Sequence, residues 1–229
     1  MGHIIQSLNQ NWFFKLGSED LTQSSLEKKC YEKVNLPHSV TLTPAISSGG
    51  INYQGECVYY KALTFTDAEK NKKIILEFDG AMGVTEVYLN GKYFASHYCS
   101  YLPLVIDITD KVKFNEENII ALKLDNSDNG DVPPGTPQSS LDFTYEGGLY
   151  REARMHIVDK LYVTHALLAD EQAGGGLFVS YEDVTEESAT IKIKTHIKNE
   201  VKEAQTFKLI HELLDQEGNN VQTLSLIHI

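Results

Sequence analysis

The stretch Val87-Tyr88-Leu89-Asn90-Gly91-Lys92 predicts two antiparallel strands joined by a tight turn. Val87 and Leu89 alternate with Tyr88 and Asn90, which puts the two aliphatic side chains on one face of a strand. Asn90 and Gly91 form the residue pair that most readily adopts the positive φ angles of a two-residue hairpin turn. The same alternation recurs in residues 74–79, 120–125 and 191–197, so strands with one buried face are the main element of this chain.

The pattern along the whole chain predicts an all-β fold. Short strands follow one another at fairly regular spacing, with turn residues such as Glu217-Gly218-Asn219-Asn220 between them, and long amphipathic helices are missing from the pattern. Strands of this length and spacing are typical of antiparallel β-sandwiches.

Three consecutive glycines, Gly174 to Gly176, predict a domain boundary, because such a run leaves the backbone little preference for one conformation. Residues 1–172 are the length of one sandwich. Residues 173–223 hold three or four predicted strands, at 177–181, 190–198, 206–214 and 221–224. Because an immunoglobulin-type sandwich needs about seven strands, the second domain is predicted to be the first half of one.

The last six residues, Leu224-Ser225-Leu226-Ile227-His228-Ile229, are identical to an in-frame translation of a transposon end used in sequencing libraries. We interpret residues 224–229 as a sequencing-adapter scar and exclude them from the fold. The alternative interpretation is an ordinary edge strand.

Composition and charge exclude some partners. The chain has 20 Lys and Arg against 32 Asp and Glu, a formal net charge of −12, and it shows no cluster of cations for phosphates, so neither nucleic acid nor a membrane is expected as a partner. The spacing of Cys30, Cys57 and Cys99 fits no metal or redox motif. The first residues lack a charged segment followed by an apolar one, so we expect no signal peptide and a cytoplasmic location, with the periplasm as the alternative.

Seven short segments follow one another in a specific order. They are Asn35-Leu36-Pro37-His38, residues 54–61 (QGECVYYK), residues 78–82 (FDGAM), residues 87–92 (VYLNGK), Asp107-Ile108-Thr109, Leu124-Asp125-Asn126-Ser127 and Gly147-Gly148-Leu149-Tyr150-Arg151. In this order they resemble the N-terminal domain of glycoside hydrolase family 2, in particular its β-galactosidases. The resemblance implies a jelly-roll, galactose-binding-like β-sandwich followed by an immunoglobulin-like one, here truncated.

The resemblance also implies that the catalytic residues lie elsewhere. Retaining glycosidases use two carboxyl groups about 5–5.5 Å apart, and in this family both are glutamates on a TIM barrel that follows the two sandwiches. No catalytic residue is therefore assigned in this chain. The dipeptide Asn199-Glu200 imitates the family's acid/base motif but lies in a predicted polar turn, so we dismiss it. No cofactor or metal site is expected in this chain, whereas Mg²⁺ or Na⁺ is an option for a longer parent enzyme.

Three residues are candidates for contact with a sugar. Asp142 lies six residues before Gly148, where galactosidases of this family carry a sugar-contacting aspartate; loop capping is the alternative. Asn52 resembles a sugar-contacting asparagine of the preceding loop, although asparagine is also a common turn residue. Tyr145 could offer a ring face to a sugar. For Arg151 a structural role, in an ion pair with Asp125 or in holding a loop, is favoured over ligand contact.

The functional hypothesis that follows is the recognition part of a glycoside hydrolase that acts on terminal β-galactosides, within a parent enzyme that could be a homo-oligomer. β-Mannosidase and β-glucuronidase relatives are the alternatives within the family, and the spacing of Asp142 favours galactose. A free-standing carbohydrate-binding module would offer an exposed aromatic platform, yet Trp12, the one tryptophan, begins a predicted strand and is expected to pack inside. A structural sandwich without a ligand leaves the seven ordered motifs unexplained.

Overall fold

The computed structural model describes residues 2–22, 31–41, 53–141 and 145–228 and confirms the all-β prediction. The chain divides into two compact units, Gly2–Val158 and a second one that begins at Asp159. This division falls earlier than the glycine run that suggested a boundary at 172/173. Within the described residues, no helix is long and apolar enough to cross a membrane.

The first unit contains two antiparallel sheets. Its described strands are β1 (His3–Ser7), β2 (Trp12–Leu16), β3 (Glu32–Val34), β4 (Glu56–Thr64), β5 (Lys72–Phe78), β6 (Val84–Leu89), β7 (Lys92–Tyr98), β8 (Leu104–Asp107), β9 (Glu117–Asp125) and β10 (Ala153–Asp159). One sheet has the order β1-β10-β5-β8, and the other has the order β3-β2-β4-β9-β6-β7.

The two sheets share one apolar core, which makes the unit a β-sandwich. The alternating residues of the sequence pattern point into this core, among them Leu76 and Phe78 from β5 and Leu122 and Leu124 from β9. The predicted buried faces of residues 74–79 and 120–125 are therefore confirmed. Burial of such side chains is worth about 1.5–3 kcal/mol each, so this core is the main source of the unit's stability.

Trp12 connects the two layers of the sandwich. It is fully buried, and its ring makes edge-on contacts with Tyr59 of one sheet and Phe78 of the other, at centroid distances of 6.5 and 6.0 Å. The indole Nε1 donates a hydrogen bond of 2.7 Å to the carbonyl of Leu8. The expectation that this tryptophan packs inside is confirmed.

The hairpin that the sequence predicts at Asn90-Gly91 connects β6 to β7. Asn90 and Gly91 have φ angles of 52° and 73°, the left-handed pair that this turn requires. The Asn90 side chain also accepts a hydrogen bond of 2.9 Å from the backbone N–H of Ile119, so the turn is fastened to the neighbouring strand β9.

Within the described residues, the strands of the second unit form three separate two-stranded ladders. The strands are β11 (Leu161–Val163), β12 (Leu177–Glu182), β13 (Thr190–Thr195), β14 (Ile197–Asn199), β15 (Phe207–Leu214) and β16 (Asn220–His228), which pair as β11-β14, β12-β13 and β15-β16. The strands predicted from the sequence are confirmed. Residues 224–228 lie in β16, and the origin of residues 224–229 as an adapter scar stays a prediction.

Few side chains of the second unit are buried. In the part of it that the structure describes, Tyr162 and Thr164 are the buried side chains apart from glycines, whereas Leu177, Val179 and Tyr181 of β12 are exposed. Two-stranded ladders without a covered apolar face are only marginally stable in water. The expected truncated immunoglobulin-like sandwich stays a prediction.

We therefore expect very different protection from amide hydrogen exchange in the two units. Amides of β12, β13, β15 and β16 should exchange through frequent local opening, because separating these ladders exposes little apolar surface that was buried before. Amides of β4 and β9, at the centre of the sandwich, should exchange far more slowly. Hydrogen exchange followed by mass spectrometry measures both sets in one sample, and equal protection would contradict the assignment of stability to the first unit.

Candidate functional site

The Gly147–Arg151 segment lies between two other segments of the family resemblance. The backbone N–H of His38 donates to the Leu149 carbonyl at 2.8 Å, and the N–H of Met82 donates to the Gly148 carbonyl at 3.1 Å. Three motifs that are far apart in the sequence therefore meet through main-chain hydrogen bonds at one end of the sandwich.

At Gly148 the backbone of this segment lies directly against Tyr59 and His38. The φ of Gly148 is +111°, and an added Cβ would lie 2.5 Å from the Tyr59 hydroxyl oxygen and 2.8 Å from the His38 carbonyl oxygen. Only glycine combines this backbone conformation with this approach. The Tyr59 hydroxyl is held there by a hydrogen bond of 2.7 Å with Nδ1 of His38.

Burial keeps the His38–Tyr59 pair uncharged at neutral pH. Removal from water lowers the pKa of His38, against a smaller opposing influence of Glu32, and raises the pKa of Tyr59 well above its ordinary value. The pair therefore acts as a neutral hydrogen-bonded support under the Gly147–Arg151 segment.

Asn126, buried just after β9, connects the end of that strand to the segment before β4. Its Oδ1 accepts a hydrogen bond of 3.0 Å from the N–H of Gly55, and its Nδ2 donates one of 2.7 Å to the Tyr53 carbonyl. Tyr53 directly follows the candidate residue Asn52 in the sequence. The described residues next to that candidate are therefore fixed to the end of β9.

A polar pocket lies at this end of the sandwich, and the space of about 260 Å³ between its walls includes open solvent. The polar residues that line it include Asp125, Ser127, Asp128, Asn129, Thr136 and Gln138. Gly83, which also lines the pocket, lies against the backbone of Asp125 and leaves no room for a side chain. A Cβ at this position would lie 2.0 Å from the Asp125 carbonyl oxygen.

Hydrogen bonds order the pocket wall. Oδ1 of Asp128 accepts from Nε2 of Gln54 at 2.6 Å and from the N–H of Gln138 at 2.9 Å. Nε2 of Gln138 donates to the Asn126 carbonyl at 2.6 Å. Oε1 of the same amide is buried and has no partner within the described part of the chain. A buried acceptor without a partner is costly, and this oxygen has almost no surface that a molecule in the pocket could reach.

Tyr145 forms one wall of the pocket and is only 5% exposed. Its hydroxyl bonds to Oγ of Ser100 at 2.7 Å and donates to the Pro133 carbonyl at 3.3 Å. Burial raises the pKa of this phenol, so it stays protonated. Most of the ring is covered within this chain, and contact with a sugar stays a prediction for Tyr145.

Ser100 is the residue of this site that the sequence analysis missed. It is fully buried, its Oγ accepts from the N–H of Gly83 at 3.1 Å, and it donates to the Pro133 carbonyl at 3.0 Å. A serine in a connecting segment carries no sequence signal of such a role, because its partners come from three separate segments.

Asp142 and Asn52, the other two candidates, lie outside the described residues, so their roles in sugar contact stay predictions. One of their described neighbours, Tyr145, three positions after Asp142, lines the pocket. Tyr53, next to Asn52, is not among the lining residues. Its carbonyl accepts a hydrogen bond from Asn126, whose sequence neighbours Asp125 and Ser127 do line the pocket.

Arg151 has the structural role that the sequence analysis favoured. Its Nη1 donates to the carbonyls of Asp79 and Tyr101, at 3.4 and 3.3 Å, and its guanidinium lies 5.1 Å from the centroid of the Tyr150 ring. The Asp125 carboxylate instead accepts from the N–H of Ser127 at 2.9 Å. Arg151 therefore holds loops by their carbonyls, as planar guanidinium groups often do.

Glu200, the dismissed imitation of a catalytic glutamate, has ordinary partners at the end of β14. Its carboxylate accepts a hydrogen bond of 3.0 Å from the Tyr162 hydroxyl and lies 3.0 Å from Nζ of Lys198.

Comparison with known proteins supports the class that the fold and the pocket suggest. No family model matches the chain. The chain is 28% identical over 215 residues to a β-galactosidase of Thermoanaerobacterium thermosulfurigenes, with 91% of this chain and 30% of the relative covered. It is also 28% identical over 227 residues to a β-glucuronidase of Formosa agariphila, with 93% and 23% covered.

Among solved structures, the chain resembles β-glucuronidase 2 of Bacteroides uniformis with a TM-score of 0.84 and 28% identity. The alignment covers 99% of this chain and 26% of that one. The chain thus spans less than a third of the length of these relatives. The predicted resemblance to the N-terminal region of family 2 glycoside hydrolases is confirmed.

The close approach at Gly148 predicts that Gly148→Ala is strongly destabilising. The methyl group meets the Tyr59 hydroxyl and the His38 carbonyl, and the backbone conformation is unfavourable for alanine, so we expect a loss of about 2–3 kcal/mol in the free energy of unfolding. Gly130→Ala is the matched control, because no atom lies within 4 Å of its added Cβ. Denaturant unfolding compares the two, and equal midpoints would show that the contact is unimportant.

Burial of His38 predicts that its imidazole titrates below the ordinary value of 6.5. A histidine whose pKa is lower in the folded state binds fewer protons there than in the unfolded state. Its contribution to stability is therefore complete above pH 6.5 and is lost as the pH falls below that value. NMR titration of the ring protons measures the midpoint, and a value at or above 6.5 would contradict the burial argument.

Proposed function

We propose that this chain is the substrate-recognition part of a retaining glycoside hydrolase that removes terminal β-linked galactose. The observation that carries the proposal is the polar pocket lined by Tyr145, three positions after Asp142, together with Asp128 and Gln138. The relatives with glycosidase names support the general class.

The pocket has the chemistry that sugar hydroxyls need. The residues that line it include Asp125 and Asp128, which carry carboxylates, and Gln138, which carries an amide. Carboxylate and amide oxygens accept hydrogen bonds from hydroxyl groups and discriminate well where water is excluded. A carboxylate at Asp142 would add one more acceptor of the same kind.

The charge of the pocket favours a neutral sugar over a uronic acid. The two lining carboxylates lie in a chain with a net charge of −12. A glucuronide carries its own carboxylate, which this environment repels, whereas a galactoside carries none. We therefore prefer a β-galactosidase to a β-glucuronidase, although relatives of both names are similar to the chain.

Catalysis belongs, in this proposal, to a barrel domain in a longer parent enzyme. The relatives are three to four times as long as the part of them that this chain matches. A retaining mechanism requires a pair of carboxyl groups, one as acid/base and one as nucleophile, and we place both in that barrel. Mg²⁺ or Na⁺, if the parent binds one, would also be held there.

The second unit fits this proposal as part of an immunoglobulin-like sandwich. Tyr181 pairs with Ile191 and Val179 with Ile193 across β12 and β13, so apolar residues gather on one face of that ladder. Tyr181 and Val179 are exposed there. A sandwich partner sheet would cover such a face.

The test of the proposed site is Asp142→Ala in the full-length parent enzyme. Loss of one contact that is strongest in the transition state should cost a few kcal/mol, which is about a hundredfold in galactoside turnover. The melting temperature should change little. Steady-state kinetics with a chromogenic β-galactoside measures the effect.

Asp131→Ala is the matched control, because Asp131 is exposed on the same connecting segment and its removal should leave turnover unchanged. Unchanged kinetics of the Asp142 variant would reject the sugar contact. This chain without the barrel should hydrolyse no galactoside. Hydrolysis by the purified chain would overturn the proposal that this chain recognises the sugar and the barrel cleaves it.

A further inference from the structure

Three large side chains with apolar surface are exposed at the end of β7 and on the short turn that leads from it to β8. Tyr98 is 63% exposed, Tyr101 is 37% exposed and Leu102 is 63% exposed. We call residues 98–102 the tyrosine turn. Five consecutive residues span at most about 15 Å, so the three side chains lie in one region of the surface. Clustered exposure of this kind marks contact with another protein surface.

Hydrogen bonds to three consecutive carbonyls hold the tyrosine turn. The Tyr150 hydroxyl donates to the Ser100 carbonyl at 2.6 Å, and Nη1 of Arg151 donates to the Tyr101 carbonyl at 3.3 Å. Nε2 of His97 bonds to the Leu102 carbonyl at 3.1 Å.

A surface that is already ordered loses little conformational entropy when a partner binds. Tyrosine is also among the residues that contribute most to binding energy at interfaces. The turn therefore combines exposed apolar area with the rigidity of a preformed contact surface.

The tyrosine turn is continuous with the pocket. The Tyr101 ring meets the Tyr145 ring edge-on at a centroid distance of 6.5 Å, and Oγ of Ser100 bonds to the Tyr145 hydroxyl. Because Tyr145 lines the pocket, whatever covers the turn also lies at the pocket rim.

We propose that the tyrosine turn is the surface on which the catalytic part of the parent enzyme docks. This inference rests on the proposed function, in so far as it places the chain in a longer glycosidase. The length of the relatives supports that occupant, since this chain matches only 23% to 30% of them. The docked surface is expected to be apolar, with hydrogen-bond acceptors at its rim for the two phenol hydroxyls.

A second copy of this chain is a poorer occupant. Two chains that each carry a charge of −12 repel one another. A sugar is also a poorer match, because Leu102 offers no ring face or hydrogen-bonding group to it. Both remain distinguishable outcomes of the experiment.

Hydroxyl-radical footprinting of the full-length parent enzyme tests the proposal. Tyr93 is the internal control, because it is 58% exposed near the other end of the same hairpin strand, β7. Tyr98 and Leu102 should be labelled several-fold more slowly than Tyr93 in the native enzyme, after each residue's rate is normalised to the denatured enzyme. The parent with both Tyr98→Ser and Leu102→Ser should melt at a lower temperature than Tyr93→Ser, which removes only an edge-on contact with Tyr88 and a hydrogen bond with Ser96.

Labelling of Tyr98 and Leu102 at the rate of Tyr93 would overturn the proposal. Protection that disappears on dilution would assign the turn to a second copy, and protection that appears only with added galactoside would assign it to sugar; either result overturns the proposal as well. Hydrolysis of a chromogenic galactoside by the same sample reports on the proposed function separately. An active enzyme with an unprotected turn refutes the docking surface alone, whereas a protected turn without glycosidase activity refutes the function alone.

Discussion

The approach of the Gly148 backbone to the Tyr59 hydroxyl is the constraint on which the recognition end of the sandwich depends. Tyr59 lies in the middle of β4, its hydroxyl is bonded to His38, and there is room for the Gly147–Arg151 segment only because position 148 has no side chain. That segment then supplies the carbonyls that accept from His38 and Met82. A glycine of this kind is retained for close approach rather than for chain flexibility.

This arrangement explains what the seven ordered motifs do. Several of their polar side chains bond to the backbone of other segments. Asn90 bonds a hairpin to β9, Asn126 bonds to the segment before β4, and Arg151 bonds to two carbonyls. The resemblance that pointed to a sugar-binding domain is thus carried mainly by residues that build the frame. The residues expected to touch sugar lie on the connecting segments that this frame supports, which is a common division between scaffold and site.

The sequence predicted those parts of the structure that depend on neighbours in the chain. Alternation at Leu76, Phe78, Leu122 and Leu124 and the turn at Asn90-Gly91 are local patterns, and each is found in the structure. Strand β1 was not predicted, because residues 3–7 show no alternation and their burial is low. The role of Ser100 was equally hidden, since its partners at Gly83, Pro133 and Tyr145 come together only after folding. The structure divides the chain at Asp159, near the end of a strand, whereas the glycine run is the stronger local signal in the sequence; the boundary at 172/173 stays a prediction.

The pairing of β1 with β10 has a consequence for synthesis on the ribosome. His3 pairs with Val158, so β1, the first described strand of this sandwich, is completed only by its last one, β10. At about 5–20 residues per second, β1 waits on the order of 8 to 30 s for its partner. Through that interval its two exposed isoleucines and its unpaired edge are available to other chains. A nascent chain of this kind would be a natural client of chaperones that cover N-terminal segments early, and the Gly148 contact would form at nearly the same late moment.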